Sequence, residues 1–206
     1  RDIPATYIKC GIKEGNLRET IHDKLDFESD DIRYREIERH PEYYDKPAKC
    51  NVYYNRANNG DDYFIAYESL NKKVLFGFLR LRIVDDENLQ NLEILKGKGL
   101  VRELHVYSDA TKVGSNNDRT WQHKGIGTKL LKYAESITKK NGLYGIAVIS
   151  GEGVKGYYER RNYEECETFM IKKFNTVIVL LYFLMNTIQI AAIKILMKIN
   201  NVFKQV

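Results

Sequence analysis

Cysteine and proline are both scarce in this 206-residue chain, with three of each. Cys10, Cys50 and Cys166 are odd in number and far apart, which argues against a disulfide framework and for reduced thiols in the cytosol. The same scatter excludes a clustered three-cysteine iron–sulfur motif, so radical chemistry has no origin within these residues. His22 and His40 stand at no ligand spacing to Cys10 or Cys50, and no metal site is expected. Neither sign of charge dominates: 33 Lys and Arg against 28 Asp and Glu leave +5, a mild excess that suits a polyanionic partner without requiring one. No internal repeat occurs, and no secretory signal opens the chain.

At 43% hydrophobic and 30% charged residues, the composition suffices for one domain with its own core, plus appendages. Residues 1 to 50 are charged and tyrosine-rich, with Pro41 and Pro47 as breakers, and are expected to form a linker with one or two short helices. Asp62 to Ser69 and Lys73 to Val84 are β-rich runs around a short Leu70-Asn71-Lys72 connection, which predicts a hairpin. Alternation in the second run puts Phe76, Phe78, Arg80 and Arg82 on one face, and Leu75, Gly77, Leu79, Leu81 and Ile83 on the other. Leu100 to Tyr107 reads as a third strand, followed by a long loop of turn residues, Ser108 to Thr120.

Gln122-His123-Lys124-Gly125-Ile126-Gly127 then opens an apolar helical run from Thr128 to Ile137. Glycines ahead of a helix let the backbone approach an anion, toward which the unpaired N–H groups and positive end of the helix point. Gln122 can add a side-chain amide donor. The helix should bury Leu130, Leu131, Ala134 and Ile137, expose Lys129, Lys132, Glu135 and Lys139, and stop at Asn141-Gly142. A short β-branched run, Gly145 to Ser150, follows it, and then a tyrosine-bearing segment from Gly151 to Tyr163.

Strand, glycine turn, helix, strand and tyrosine helix in that order resemble the GNAT acyl-CoA transferase core. The resemblance is closer to the C-terminal third of the Elongator catalytic subunit family. It is carried by Arg1-Asp2-Ile3-Pro4, Gly15-Asn16-Leu17-Arg18, Asp31-Ile32-Arg33 with Arg35-Glu36, Gly77 to Arg82, Val101 to Tyr107 and Ile146 to Gly151, within residues 1 to 174. Where that family commonly has a cysteine before Asp31-Ile32-Arg33, this chain has Ser29. The resemblance implies an α/β GNAT fold, a mixed and mostly antiparallel sheet flanked by helices. It implies an acetyl-CoA-dependent acyltransferase supplying the acetyl unit for carboxymethyl-type modification of wobble uridine 34 in tRNA. Other Elongator subunits are implied as partners. A radical domain carrying S-adenosylmethionine and a 4Fe-4S cluster would lie outside this chain, whose residues lack its motif. The expected organisation is a linker over 1–50, the GNAT domain over 51–174, a transmembrane anchor over 175–197 and a basic tail over 198–206.

Transferred to this sequence, the family's site assigns the pyrophosphate of acetyl-CoA to Gln122, Gly125, Ile126 and Gly127. The pantetheine arm falls along Arg102, Glu103, Leu104 and His105, and the thioester end at Tyr157 or Tyr158. Adjacent tyrosines on a helix point about 100° apart, so one of the two is expected to reach the sulfur, where a phenol can protonate the departing thiolate. Glu103 sits where GNAT enzymes often put a general base. Arg80, Arg82, Lys96 and Lys98 are candidates for an RNA-facing basic strip, though a solvated sheet face explains them equally well. Arg160 and Arg161 can serve phosphates or RNA, while two arginines on an exposed helix more often face solvent. A protein lysine acetyltransferase with Glu103 as base is the alternative enzyme; a catalytically idle, membrane-tethered tRNA-binding scaffold is the alternative outside enzymology.

The tail lies past the family's usual last strand. Thr176 to Ile193 is apolar apart from Thr176, Asn186, Thr187 and Gln189, and as a helix it reaches roughly 27 Å against a bilayer core of about 30 Å. Lys172, Lys173, Lys194 and Lys198 bracket it as interfacial cations. A spanning helix holding a cytosolic catalytic domain on the cytoplasmic face of a membrane is the expectation. An interfacial or protein-docked helix is the alternative, since Thr187, Lys194, Lys198, Asn201 and Gln205 fall near one helical face.

Overall fold

The computed structural model describes residues 5–7, 9–11, 20, 21, 24, 29–89, 92–107 and 125–203, with side chains in the last helix described to 197. The chain divides into two compact units, Arg1–Arg35 and Glu36–Val206. In the first, Ala5–Tyr7 make a 3-10 turn. Asp31 folds its own neighbourhood there, its Oδ1 accepting from the Arg33 N–H at 2.8 Å and its carbonyl from the Tyr34 N–H at 3.0 Å.

The second unit is built on a seven-stranded sheet in the order β1-β2-β3-β4-β5-β7-β6. Its strands are β1 Ala48–Ala57, β2 Gly60–Ser69, β3 Leu75–Val84, β4 Lys98–Val106, β5 Gly145–Ile149, β6 Glu164–Cys166 and β7 Phe169–Lys173. All neighbours run antiparallel except β4 and β5. The expected hairpin is β2–β3. Ahead of it stands β1, a strand within and beyond the stretch read as linker. A two-residue turn at Asn58 and Asn59, with φ of 49° and 55°, closes β1 onto β2 in the left-handed geometry that suits the twist of a tight hairpin.

Helix α1, Ile126–Lys140, packs on this sheet through Ile126, Leu130, Leu131, Ala134 and Thr138. The large apolar side chains among these are at most 1% exposed, each contributing about 1.5–3 kcal/mol of burial. On the sheet strands that α1 packs against, Leu79, Leu81 and Val101 are also fully buried. The helix stops where expected, with Gly142 at φ +77°.

Two α1 positions depart from the simple stripe. Thr138, not Ile137, is fully buried, and its hydroxyl is satisfied by the Ala134 carbonyl at 2.8 Å. Glu135, expected to be outside, is partly buried because it accepts from Tyr163 Oη and Lys172 Nζ, each at 3.0 Å. Burial, with the Glu135 carboxylate beside it, pushes the Tyr163 phenol far above its ordinary range, so it stays a donor. Glu135→Ala removes the acceptor from both groups and is expected to cost about 1–3 kcal/mol of stability, readable as a lower denaturation midpoint at unchanged slope.

After β5 a 3-10 turn, Glu152–Val154, leads into the short helix α2, Lys155–Glu159. The chain ends in α3, Thr176–Phe203, capped by Asn175 Oδ1, which accepts from the Val177 N–H at 3.0 Å. Among the described residues, α3 docks through one face of its first half. Val179 is 4% exposed, the Lys139 ammonium lies over the Phe174 and Tyr182 rings at 4.5 and 5.6 Å, and Asn186 Nδ2 donates to the Lys140 carbonyl at 3.4 Å. Away from that face and further along, Leu180, Leu181, Leu184, Met185, Ile188, Leu196 and Met197 stand exposed.

Candidate active site

The site arises from a fault in the sheet. Between β3 and β4 the register shifts, so that Arg80 faces Glu103 while Leu81 faces Val101, leaving Arg102 as the extra residue of a bulge. At the same point β4 parts from β5: their parallel pairing covers Lys98 to Val101 against Gly145 to Val148 and goes no further. Among the described residues, the edge of β4 turned toward β5 therefore has no strand on it from Arg102 to Val106, and its backbone polar groups face a gap. Leu104 and Val106 line that gap. With Gly125, Gly127, Thr128, Val154, Tyr157, Tyr158 and Arg161 they enclose a cavity of about 380 Å³.

One end of the cavity is the start of α1. Gly125 is the N-cap, at φ +94°, a left-handed conformation that glycine adopts without strain. Its carbonyl accepts the first helical bond, from Lys129 N–H at 2.8 Å. The N–H groups of Ile126, Gly127 and Thr128 then have no acceptor within the helix, and no acidic side chain occupies the first turn. At Gly127 a Cβ would collide with the hydroxyl of Tyr157 and come within 3.6 Å of Val106. Two elements thus close on this backbone, and only glycine fits between them.

The tyrosine pair divides its labour. Tyr158 is 6% exposed and packs edge-on between Tyr157 and Tyr163 at 5.1 and 5.8 Å; burial, then the neighbouring Tyr157, pushes its phenol up to about 12. Tyr157 projects toward the start of α1, and its buried hydroxyl has no hydrogen-bond partner among the described residues. An orphaned donor in a cavity, a glycine turn whose amides have no acceptor within the helix, and a strand edge open among the described residues fit an elongated ligand that has an anionic end and an amide-bearing arm. A larger cavity of about 490 Å³, lined by Asp61, Asp85, Asp86 and Glu87, has the wrong sign for such a ligand.

The acetyltransferase (GNAT) family model matches residues 26–163, which includes this cleft and every element that forms it up to Tyr163. The chain belongs to the GNAT acetyltransferase family. Its fold and family are those of an acyltransferase. "Elongator complex protein 3" of Schizosaccharomyces pombe is 37% identical over 179 residues, covering 84% of this chain and 33% of that protein. The "tRNA uridine(34) acetyltransferase" of Methanocaldococcus jannaschii is 36% identical over 184 residues, covering 84% and 33%. Among solved structures, the archaeal Methanocaldococcus infernus Elp3 with an N-terminal deletion superposes with a TM-score of 0.62 at 32% identity, covering 84% of this chain and 43% of that one. The chain spans about a third of the length of the curated relatives it matches.

Within the GNAT frame the remaining candidates fall in three places. Gly125, Gly127, Leu104 and both tyrosines meet at the cleft, while the Ile126 side chain is buried in the core; Gln122, with the loop before it, lies outside the described residues. Glu103 and His105 point to the other face of β4. There Glu103 lies 3.5 Å from Arg80, whose guanidinium also covers Phe64 and Phe78, and the His105 ring packs on Phe78 and Tyr107. Arg102, the bulge residue, is exposed.

Of the basic strip, Arg82 is committed to Asp62 at 2.5 Å and to the Ala57 and Asn58 carbonyls. Lys96 pairs with Glu93 at 2.8 Å. Lys98 donates to the Lys96 carbonyl, and burial, with Lys173 nearby, lowers its pKa. Arg161, for which the sequence leaves phosphate or RNA contact and solvent exposure both open, is turned into the cleft, and Thr128, Val106 and Val154 join it in the lining. No spacing rule marks Arg161: its partner Thr128 lies 33 residues away.

Proposed function

We propose that this chain is the acetyl-CoA-binding acyltransferase domain of an Elongator-type enzyme that modifies wobble uridine 34 of tRNA. The observation that carries the reading is the splayed β4–β5 edge leading to the Gly125–Gly127 turn with the Tyr157 hydroxyl beside it. Bound acetyl-CoA supplies an acetyl group activated as a thioester. The amides of Ile126, Gly127 and Thr128 hold the diphosphate, and the free edge of β4 from Arg102 to Val106 orients the arm by backbone pairing. Tyr157 carries a proton at Oη for the departing sulfur. Leu104 and Val106 give the arm an apolar wall. Use on tRNA rests on the relatives named for uridine 34, and it requires a radical domain and partner subunits from outside these residues.

We further infer that α3 spans a membrane and keeps the catalytic unit on the cytoplasmic face. The apolar stretch Thr176–Met197 is 22 residues and reaches roughly 33 Å at about 1.5 Å per residue, enough for a bilayer core once the contacts of Val179, Tyr182 and Asn186 with the domain are released. Thr187 Oγ1 returns its bond to the Phe183 carbonyl at 2.9 Å, so this polar residue asks nothing of the surroundings.

Two measurements test the enzymatic reading. Acetyl-CoA turnover should depend on added tRNA and not on a lysine peptide; stimulation by the peptide alone would transfer the chain to the protein acetyltransferases. Tyr157→Phe should lower turnover by about 10²–10⁴-fold, the usual worth of a placed proton donor, with affinity nearly unchanged. Tyr158→Phe should have far less effect, because its ring is buried against Tyr157 and Tyr163. Equal losses in the two variants would make both packing residues.

A further inference from the structure

We propose that Arg161 makes this cleft selective for a diphosphate-bearing acyl carrier, with Thr128 as its positioning residue; the proposal rests on the acetyl-CoA reading of the cleft. The guanidinium is fixed on three sides. Nε and Nη2 both donate to Thr128 Oγ1, at 3.1 and 2.8 Å, Nη1 donates to the Tyr157 carbonyl at 2.6 Å, and Cζ lies over the Tyr157 ring, 3.6 Å from its centre. Donors remain on Nη1 and Nη2 after these bonds.

Its charge is unbalanced. Among the described residues Arg161 forms no ion pair, and the helix turn on which it rests has no acidic side chain. Thr128 belongs to the first turn of α1, so a full positive charge is held where the helix dipole is already positive, an arrangement that favours an anion and is unfavourable without one. The unpartnered hydroxyl of Tyr157 lies in the same cavity. If Arg161 served packing alone, a neutral side chain of the same reach would do as well. Held as it is, it adds a cation with a fixed fork to the backbone amides of the turn.

A diphosphate diester carries two negative charges and can engage the amide turn and the guanidinium together. The same acyl-pantetheine arm without phosphates cannot. Arg161 therefore separates acetyl-CoA from S-acetyl-pantetheine, and it does so without touching the thioester.

The test compares these two ligands on the full chain, by titration calorimetry for acetyl-CoA and by ligand-observed NMR titration for S-acetyl-pantetheine. Arg161→Gln should weaken acetyl-CoA by roughly 10–100-fold, the worth of a charge-assisted bond, and leave S-acetyl-pantetheine within about twofold. Arg161→Lys should recover part of the loss, since it restores charge without the fork. Thr128→Val, which keeps the shape and releases the guanidinium, should give a smaller loss of the same selectivity. Raised salt should shrink the gap in acetyl-CoA affinity between the unaltered protein and the Arg161→Gln variant. An unchanged acetyl-CoA affinity in a folded Arg161→Gln variant, or equal weakening of both ligands, would overturn the proposal while leaving the cofactor reading in place. Failure of the unaltered chain to bind acetyl-CoA would overturn both.

Discussion

Gly127→Glu abolishes measurable acetyl-CoA binding, with an expected loss of about 100-fold or more, equivalent to about 2.7 kcal/mol. Two effects combine. The new Cβ meets the Tyr157 hydroxyl, which must swing out of the cavity, and the new carboxylate occupies the anion seat while neutralising the helix terminus that created it. The fold should survive, because the colliding atom is the end of a side chain and no positive φ is recorded at Gly127. Circular dichroism checks the fold, and calorimetry reads the affinity. Gly127→Ala, which adds the collision without the charge, should fall between. Undiminished binding by a folded Gly127→Glu protein would remove the turn from the site.

The second large effect concerns the tail. Leu184→Arg with Ile188→Arg should release the chain into the soluble fraction, each charge near the middle of the span costing about 2.5–3.5 kcal/mol. These positions are 57% and 59% exposed and stand clear of the domain, whereas Val179 is packed against it, and a charge there would damage the catalytic unit as well. Turnover by the released protein should persist. If alkaline carbonate strips the unaltered chain from membranes, α3 does not span and lies at an interface or against another protein.

Much of the site is legible in the sequence because its parts are local. The glycines at 125 and 127 precede an amphipathic run, the buried stripe of Leu130, Leu131 and Ala134 follows from helical spacing, and Tyr157 and Tyr158 open a short helix after a β-branched strand. What escapes depends on register and on distance along the chain. The strand Ala48–Ala57, whose first three residues fall in the expected linker, goes unread because, as an edge strand exposed along most of its length, it carries no apolar alternation; Asn58-Asn59-Gly60 is the signal that marks its turn. The bulge at Arg102 is a mismatch between two strands, and alternation within one strand cannot reveal it. Glu135 and Arg161 look like surface charges in the sequence, since each finds its partner only when β7 or α1 is brought against it.

The central claim is that the cleft between β4 and β5 holds the acyl donor, and hydrogen–deuterium exchange on the full chain with and without acetyl-CoA tests it most directly. Protection should appear in two short stretches, the unpaired edge of β4 over Arg102–Val106 and the first turn of α1 over Ile126–Thr128, with no change at the acidic cavity around Asp85 and Asp86. Saturating acetyl-CoA with unchanged exchange at both stretches, or with protection confined to another part of the sheet, would contradict it.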